Sequence, residues 1–257
     1  MLDRETAEKL REIGLLGMAQ TLAAQERDPE MDSISFAERF GLLVDAEWTY
    51  RKNRRLERLL REARLRLPAC LEDIDFGPQR GLSRSVIRSL GIGRWIRDRQ
   101  NILVAGPTGV GKTFLACALA NAACRLGYSA RYCRVPRLTA DLIVARGDGS
   151  YRRTLAKLAR FDLLVLDDLG IAPLSPGECR DLLELVDDRS QCRSTVVASQ
   201  LPIESWHGVM GDPTLADAIL DRLVHSSHKI VLKGESMRKI KSGLPQDSDS
   251  DKLETDT

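Results

Sequence analysis

Residues 106–113 read Gly106-Pro107-Thr108-Gly109-Val110-Gly111-Lys112-Thr113, between a short apolar run and a segment rich in alanine and leucine. This order predicts a strand at 102–105, a glycine-rich loop and a helix over 114–126. Glycines let several backbone N–H groups point at phosphate oxygens, and the first turn of the helix adds a positive dipole. The loop therefore predicts a site for a nucleoside triphosphate, with Lys112 at the β/γ-phosphates and the Thr113 hydroxyl on Mg²⁺.

A second apolar run, at 163–166, ends in two carboxylates, Asp167 and Asp168. We expect Asp167 to lie beside Thr113 and to orient the ligands of Mg²⁺. The next residue, Asp168, is placed to polarise an attacking water. The alternative is a charged turn between a strand and a loop. With a phosphate loop earlier in the chain, the pattern favours hydrolysis of the nucleotide.

A third apolar run, at 196–198, ends in Ser199 and Gln200. In a sheet of parallel strands, the carboxyl ends of the strands lie at the same edge, where ligands bind. We therefore expect Gln200 near the γ-phosphate, with Ser199 as the second choice.

Strands and helices alternate from residue 101 onward. The apolar runs predict five strands, at 102–105, 130–135, 163–166, 195–198 and 229–232, with helices between them. Such alternation produces a parallel sheet that is covered on both faces. The predicted fold is α/β, of the P-loop NTPase class, with a five-stranded parallel sheet flanked by helices.

Composition divides the chain into three parts. Residues 1–78 carry apolar positions at helical spacing and end in a linker at 73–78, so we expect an all-helical N-terminal domain. Residues 79–243 form the nucleotide-binding domain. The tail at 244–257 is polar and acidic, and we expect it to be disordered.

One predicted helix of the N-terminal domain is strongly basic. Residues 51–66 carry eight Lys or Arg against two Glu. At 100° per residue, leucines and Ala63 form an apolar stripe, and the opposite face carries five arginines: Arg51, Arg54, Arg55, Arg58 and Arg61. A face of one charge sign, rich in arginine, is typical of surfaces that bind the phosphates of nucleic acids. A solvated surface without a ligand is the alternative.

The whole-chain composition is that of a globular protein. The chain has 257 residues, 43% hydrophobic and 30% charged, yet its net charge is only +2, so its basic character is local. The first residues are charged, and no run approaches the roughly 18 apolar residues of a membrane span. The six cysteines form no C-x-x-C pair and the three histidines no metal set. We expect a cytoplasmic protein without a zinc site, a disulfide framework or a membrane partner.

The order and spacing of five motifs resemble those of one family. The motifs are GPTGVGKT at 106–113, LLVLDDLG at 163–170, VVASQ at 196–200, AILDRL at 218–223 and GESMR at 234–238. Together they are similar to AAA+ ATPases of the IstB/DnaC group, and most of all to IstB-type helper proteins of bacterial insertion sequences. The resemblance covers most of the chain. It implies an AAA+ domain with a minimal lid, in the cytoplasm of a bacterium and associated with the nucleoid.

The resemblance also implies roles for single residues. Lys112, Thr113 and Asp167 would hold ATP and Mg²⁺ with the rest of the loop at 106–111, and Gln200 would correspond to the sensor-1 polar residue. Many AAA+ proteins have Glu where this chain has Asp168, although the resembling group tends to carry Asp. The shorter side chain is expected to hold the water less well and to make hydrolysis slow.

Two arginines take roles from the resemblance alone. Arg222 would be an arginine finger that reaches the γ-phosphate of a neighbouring subunit, and Arg238 would be a sensor-2-like arginine beside the nucleotide. The alternative for Arg222 is an intrachain ion pair with Asp221 or Asp217. For Arg238, the alternative is a plain surface position.

A finger that acts on a neighbour requires a homo-oligomer with active sites at the subunit interfaces. Hydrolysis would then respond to assembly, since such an arginine accelerates it roughly 10³-fold or more. If the subunits wind around DNA, two sets of arginines are candidates to line the channel; the alternative is that they are solvated. The sets are Arg131, Arg134 and Arg137 after the second strand, and Arg152 and Arg153 in the loop at 146–153.

Three functions remain open at this point. The first is an ATPase that assembles on double-stranded DNA, selects or remodels a target, and recruits or stimulates a transposase, with DNA-stimulated, Mg²⁺-dependent hydrolysis as the release step. The second is a loader of a replicative helicase. The third is a DNA-bound scaffold with a vestigial ATPase. The basic helix favours the first.

Overall fold

The computed structural model describes residues 2–77 and 80–237, and its contacts group the chain into two compact units, Met1–Glu62 and Ala63–Thr257. Arg238 and the tail at 244–257, for which we predicted a nucleotide contact and disorder, lie outside the described residues.

The first unit is helical. It contains α1 (Leu2–Glu12), α2 (Leu16–Gln25), a short 3-10 turn and most of the long helix α3 (Phe36–Ala63). A capping box starts α3: Ser35 donates from N and Oγ to Glu38 Oε2 at 3.1 and 2.7 Å, and Glu38 N donates to Ser35 Oγ at 3.3 Å. The helix ends at Ala63, because Arg64 adopts a left-handed conformation with φ 48°. The basic run at 51–66 therefore extends past the end of the helix.

The described part of α3 has the two faces that its periodicity predicts. Leu59 and Ala63 are buried, and Leu56 and Leu60 are half-buried. The five arginines of the basic face are exposed: Arg51, Arg54, Arg55, Arg58 and Arg61. Arg51 Nε donates to Glu47 Oε1 at 2.6 Å, and the Arg54 guanidinium lies over the Tyr50 ring.

The second unit is built on a parallel sheet with the strand order β2-β3-β4-β1-β5. The strands are β1 (Asn101–Ala105), β2 (Ala130–Arg134), β3 (Leu163–Leu169), β4 (Ser194–Ser199) and β5 (Ser227–Val231). The predicted fold class, with five parallel strands flanked by helices, is confirmed. Since β1 lies inside the sheet between β4 and β5, the loop that follows it emerges at the middle of the carboxyl edge.

Helices cover both faces of the sheet. They are α4 (Arg84–Gly91), α5 (Arg94–Arg97), α6 (Lys112–Arg125), α7 (Val135–Gly147), α8 (Tyr151–Ala159), α9 (Pro176–Arg189) and α10 (Pro213–Val224). Alternate strand residues such as Leu103 and Leu164 share a core with α7 to α10, and α6 contacts β1 to β4 from the other face. Among the described residues, no helix has the length and apolarity that a membrane span requires.

The segment that follows α3 belongs to the second unit. The 3-10 turn Leu71–Asp73 lies against α6, where Arg125 Nη1 donates to Glu72 Oε1 at 2.7 Å, and Ala69 and Ile74 are buried. The composition of the linker predicts a domain boundary at residue 78. By contacts, the first compact unit ends at Glu62, and the boundary at residue 78 stays a prediction from composition.

Candidate nucleotide and metal site

The glycines of the loop at 106–113 take backbone conformations that other residues adopt rarely. Gly106, Gly109 and Gly111 have φ values of 149°, 87° and 98°, and α6 begins directly after Gly111. The Lys112 ammonium lies back across the loop and donates to the carbonyls of Gly106 and Pro107 at 2.7 and 2.6 Å. The loop thus wraps a buried lysine at the positive end of a helix, as a phosphate site requires.

Residues distant in sequence hold the outer side of the loop. Arg80 Nη2 donates to Val110 O at 2.7 Å, and Met237 N donates to Gly109 O at 3.0 Å. A Cβ at Gly109 would lie 2.1 Å from Ser236 Oγ, and one at Gly106 would lie 2.3 Å from Leu232 O. The close packing leaves no room for a side chain at these glycines.

The carboxyl end of β3 brings Asp167 to Thr113. Asp167 is only 1% exposed, and its Oδ2 accepts hydrogen bonds from Thr113 Oγ1 at 2.8 Å and from the Tyr132 hydroxyl at 2.6 Å. Its Oδ1 accepts from Asp168 N at 3.0 Å. The two side-chain donors come from other elements, α6 and β2, and together with the Asp168 N–H they fix the orientation of the carboxylate.

Asp168 sits in an irregular part of β3. The register against β4 shifts between Leu166 and Leu169, and Asp168 itself has φ 62°, a left-handed conformation that is uncommon for a non-glycine residue. Arg134 Nε donates to Asp168 Oδ2 at 2.7 Å, and Arg66 Nη1 lies 3.7 Å from the same oxygen. The kink turns the second carboxylate away from Asp167 and toward these two arginines.

The end of β4 presents Gln200 to the same site. Thr108 Oγ1, in the phosphate loop, donates to Gln200 Oε1 at 2.7 Å. The Ser199 hydroxyl instead donates to Leu169 O at 2.7 Å and accepts from Leu201 N at 3.1 Å. Of the two candidates at this strand end, Gln200 is the one next to the loop, and Ser199 serves the packing of β4 on β3.

These groups fit a nucleoside triphosphate with Mg²⁺. A hydroxyl and a carboxylate, Thr113 and Asp167, meet at 2.8 Å, and hard oxygen donors of this kind suit Mg²⁺. The glycine-rich loop lies next to the Lys112 charge and leads directly into the N-terminus of α6, where backbone N–H groups favour an anion. The chemistry of the donors therefore matches the prediction from the motif.

Arg222 lies on α10 and is paired within the chain. Its Nε donates to Asp187 Oδ1 on α9, and its Nη1 donates to Ala218 O at 2.9 Å. The intrachain partner is thus Asp187, and the two alternatives that we drew from the sequence, Asp221 and Asp217, were wrong. The arginine and aspartate side chains are 31% and 58% exposed.

The other candidate arginines of this unit differ in their surroundings. Arg137 on α7 and Arg152 and Arg153 in the first turn of α8 are exposed, whereas Arg134 contacts Asp168. In the last turn of α7, Arg146 pairs with the buried Asp181 and lies over the Tyr151 ring. The end of α7 is therefore tied to α9, whereas Arg152 and Arg153 are exposed cations at the start of α8.

Three residues of the site carry no motif signal. Tyr132 precedes Arg134 by two positions on β2, so strand alternation places both on one face, but nothing local indicates which strand β2 pairs with. Arg66 and Arg80 reach the site from irregular segments before β1. Only the folded chain brings Arg80 to the phosphate loop, and Tyr132 and Arg66 to the carboxylates after β3.

Comparisons with known proteins indicate a family of ATP-binding proteins. The family model described as IstB-like ATP binding protein matches residues 8–244. An insertion sequence ATP-binding protein of Sinorhizobium fredii is 48% identical over 239 residues, which cover 93% of this chain and 98% of the relative. The ATP-binding protein of insertion sequence IS1162 from Pseudomonas fluorescens is 49% identical over 215 residues, or 83% of this chain and 92% of that protein.

A solved structure shares the fold. The crystal structure of DnaI superposes with a TM-score of 0.56 over 69% of this chain and 94% of that chain, at 20% sequence identity. A likeness at this identity concerns the fold alone. From the match over residues 8–244 and the two relatives, the chain belongs to the family of IstB-like ATP binding proteins.

Proposed function

We propose that this protein is an ATP-dependent, DNA-binding helper of transposition. Copies that hold ATP and Mg²⁺ assemble on double-stranded DNA, select or remodel the target, recruit or stimulate a transposase, and leave the DNA after hydrolysis. The observation that carries the proposal is the meeting of the phosphate loop, the Thr113–Asp167 pair and Gln200 at one edge of the sheet. The names of the relatives connect chains of this kind with insertion sequences.

Each residue of the site has a role in hydrolysis. Lys112 binds the phosphate oxygens, and Thr113 and Asp167 hold Mg²⁺, which when bound neutralises charge on the β- and γ-phosphates. Asp168 orients the attacking water, and Gln200 binds at the γ-phosphate side of the loop. The ion pairs with Arg134 and Arg66 occupy Asp168, so hydrolysis by a single copy is expected to be slow.

Assembly supplies an arginine that the active site of a single copy lacks. Arg222 is partly exposed on α10 and its partner Asp187 is more exposed still. Exposed ion pairs are weak, so Arg222 can leave Asp187 for the γ-phosphate of a neighbouring copy. The active site of the proposed homo-oligomer is therefore shared between two subunits.

Two basic surfaces support the binding of DNA. One is the arginine face of α3, and the other is a groove of about 470 Å³ beside α8. The charged residues that line this groove are all basic: Arg153, Lys157 and Arg160. Clusters of exposed cations bind phosphates by releasing counterions, without reading the base sequence.

Charge reversal on α3 tests the DNA-binding part. In Arg58→Glu/Arg61→Glu, the affinity for a DNA duplex should fall, and the salt dependence of log Kd should flatten by about 0.9 for each phosphate that the variant no longer neutralises. The control is Arg94→Glu/Arg97→Glu, which makes the same change of net charge on α5. Equal affinity and equal salt slope in the two variants would refute α3 as a DNA surface.

Two further measurements test the switch and the partner. Lys112→Ala should abolish ATP-dependent assembly on DNA, observed by sedimentation with and without ATP; intact assembly would contradict the switch. Purified transposase from the same insertion sequence should bind the ATP-loaded protein on DNA. Binding of a replicative helicase in place of the transposase would refute the role in transposition.

A further inference from the structure

We propose that Tyr132 is a positioning residue for the metal carboxylate: its hydroxyl, oriented by Arg66, fixes Asp167 so that it can support Mg²⁺. This inference rests on the Mg²⁺ and ATP binding proposed above. It adds two side chains that lie outside every motif of the chain.

The Tyr132 hydroxyl is the closest side-chain donor to Asp167. It donates to Asp167 Oδ2 at 2.6 Å, against 2.8 Å for the Thr113 hydroxyl on the same oxygen. Asp167 is 1% exposed and Tyr132 is 8% exposed, so water does not readily replace this donor. A buried carboxylate needs such donors, because an unsatisfied buried charge is costly.

The surroundings of the Tyr132 hydroxyl direct its proton toward Asp167. A phenol keeps its proton at neutral pH, and the Tyr132 hydroxyl donates it to Asp167 Oδ2. The Arg66 guanidinium lies next to the Tyr132 hydroxyl. A guanidinium can only donate, so the proton of the phenol is left for Asp167.

The other two donors cannot replace Tyr132. The Thr113 hydroxyl can rotate, and in the proposed function it is itself a ligand of Mg²⁺. The Asp168 N–H donates to the other oxygen, Oδ1, from the irregular part of β3. Tyr132 reaches Asp167 from the neighbouring strand, where it pairs in register with Val165, and its rigid ring cannot follow if the carboxylate turns.

The test is a Mg²⁺ titration of nucleotide binding by full-length Tyr132→Phe. Binding of a fluorescent ATP analogue is measured at rising Mg²⁺, with no turnover required. We expect half-saturation to need about 10-fold more Mg²⁺ than in the wild type, as is common when an outer partner of a metal ligand is removed. Nucleotide affinity in EDTA should stay unchanged. The matched control is Tyr128→Phe, which removes a tyrosine hydroxyl two residues before β2 and should titrate like the wild type.

The outcomes separate this inference from the proposed function. If the wild type binds nucleotide more tightly with Mg²⁺ and Tyr132→Phe has the same half-saturation, the positioning role is refuted and the function stands. A lower melting temperature without a shift in the Mg²⁺ titration would also refute it, since that is what a purely structural tyrosine would give. If nucleotide binding by the wild type ignores Mg²⁺, the proposed function of the site fails, and this inference with it.

Arg66 is tested through its dependence on Tyr132. Arg66→Met should raise the Mg²⁺ needed for half-saturation in the wild-type background, and should change it little in the Tyr132→Phe background. Arg66→Lys should restore part of the effect, because an ammonium can still donate to the phenol oxygen. Equal, additive effects in both backgrounds would refute the action of Arg66 through Tyr132.

Discussion

Replacement of Arg222 by alanine is expected to abolish the assembly-dependent part of ATP hydrolysis and to leave ATP binding intact. In the described structure this arginine is held by Asp187 and by Ala218 O. Its role in a neighbouring site therefore depends on whether the intrachain pair can be given up.

The weakness of the ion pair and the large effect of an arginine finger both favour the release of Arg222 from Asp187. A pair between side chains that are 31% and 58% exposed contributes about 0.2–1 kcal/mol, a factor of about 1.4 to 5 in an equilibrium. An arginine finger accelerates phosphoryl transfer by about 10³-fold or more. We thus expect Arg222→Ala to lower the DNA-stimulated rate by about 10³-fold. Asp187→Asn, which frees the arginine, should raise the rate by no more than about 5-fold.

The assay mixes two inactive proteins. Arg222→Ala retains Asp168 but has no finger, and Asp168→Asn retains the finger but cannot orient the water. In a head-to-tail assembly with random exchange, about one interface in four then combines an intact Asp168 with an intact Arg222. Phosphate release by an equal mixture should reach about a quarter of the wild-type rate, although each variant alone is inactive.

Three results would refute this reasoning. One is a mixture that stays inactive at every ratio although the variants assemble together on DNA. Another is an Arg222→Ala protein that hydrolyses ATP at the wild-type rate. The third is full-speed hydrolysis by a protein that sedimentation finds monomeric with ATP and DNA present.

Three further substitutions test the fold around the site. Arg189 is 1% exposed and donates five hydrogen bonds, four of them to backbone carbonyls. Arg189→Met should therefore lower the free energy of unfolding, measured by urea denaturation, by about 3–5 kcal/mol. A loss below about 1 kcal/mol would contradict this. Hydrogen bonds from Ser175 N and Oγ lower the pKa of Glu178 from 4.5. Glu178→Ala should therefore lower the free energy of unfolding by about 1 kcal/mol at pH 7, and this loss should shrink as the pH falls below 4.5. A loss that does not depend on pH would contradict the role of Glu178 in the cap. Gly109→Ala should lose ATP affinity, because its Cβ would lie 2.1 Å from a serine hydroxyl oxygen, whereas Gly147→Ala, whose Cβ meets nothing within 4 Å, should bind ATP normally.

The local features of this protein follow from its sequence. Glycine spacing predicts the loop at 106–113, and apolar runs predict each strand of the sheet to within a few residues, because both depend on neighbours along the chain. The approach of Thr113 and Asp167 is also predictable, since the carboxyl ends of parallel strands lie at one edge. The serine that caps α3 is harder to predict, because two serines precede that helix and Ser35 is the one that hydrogen-bonds Glu38.

Other parts of the site depend on distant contacts. Asp168 follows Asp167 directly, yet the irregularity of β3 turns it to Arg134 and Arg66, which no spacing rule predicts. Arg222 could pair along its own helix, but the packing of α10 on α9 offers Asp187 instead.

The sequence by itself determined the fold class, the phosphate loop and the carboxylates after β3, because each is written in a continuous run of residues. Only the tertiary structure decided which side chains surround those carboxylates. The register of β2 on β3 places Tyr132 at Asp167, and the path of the chain after α3 carries Arg66 to the same point. Such contacts join residues far apart in the chain, so they are set by packing and strand pairing and leave no local pattern.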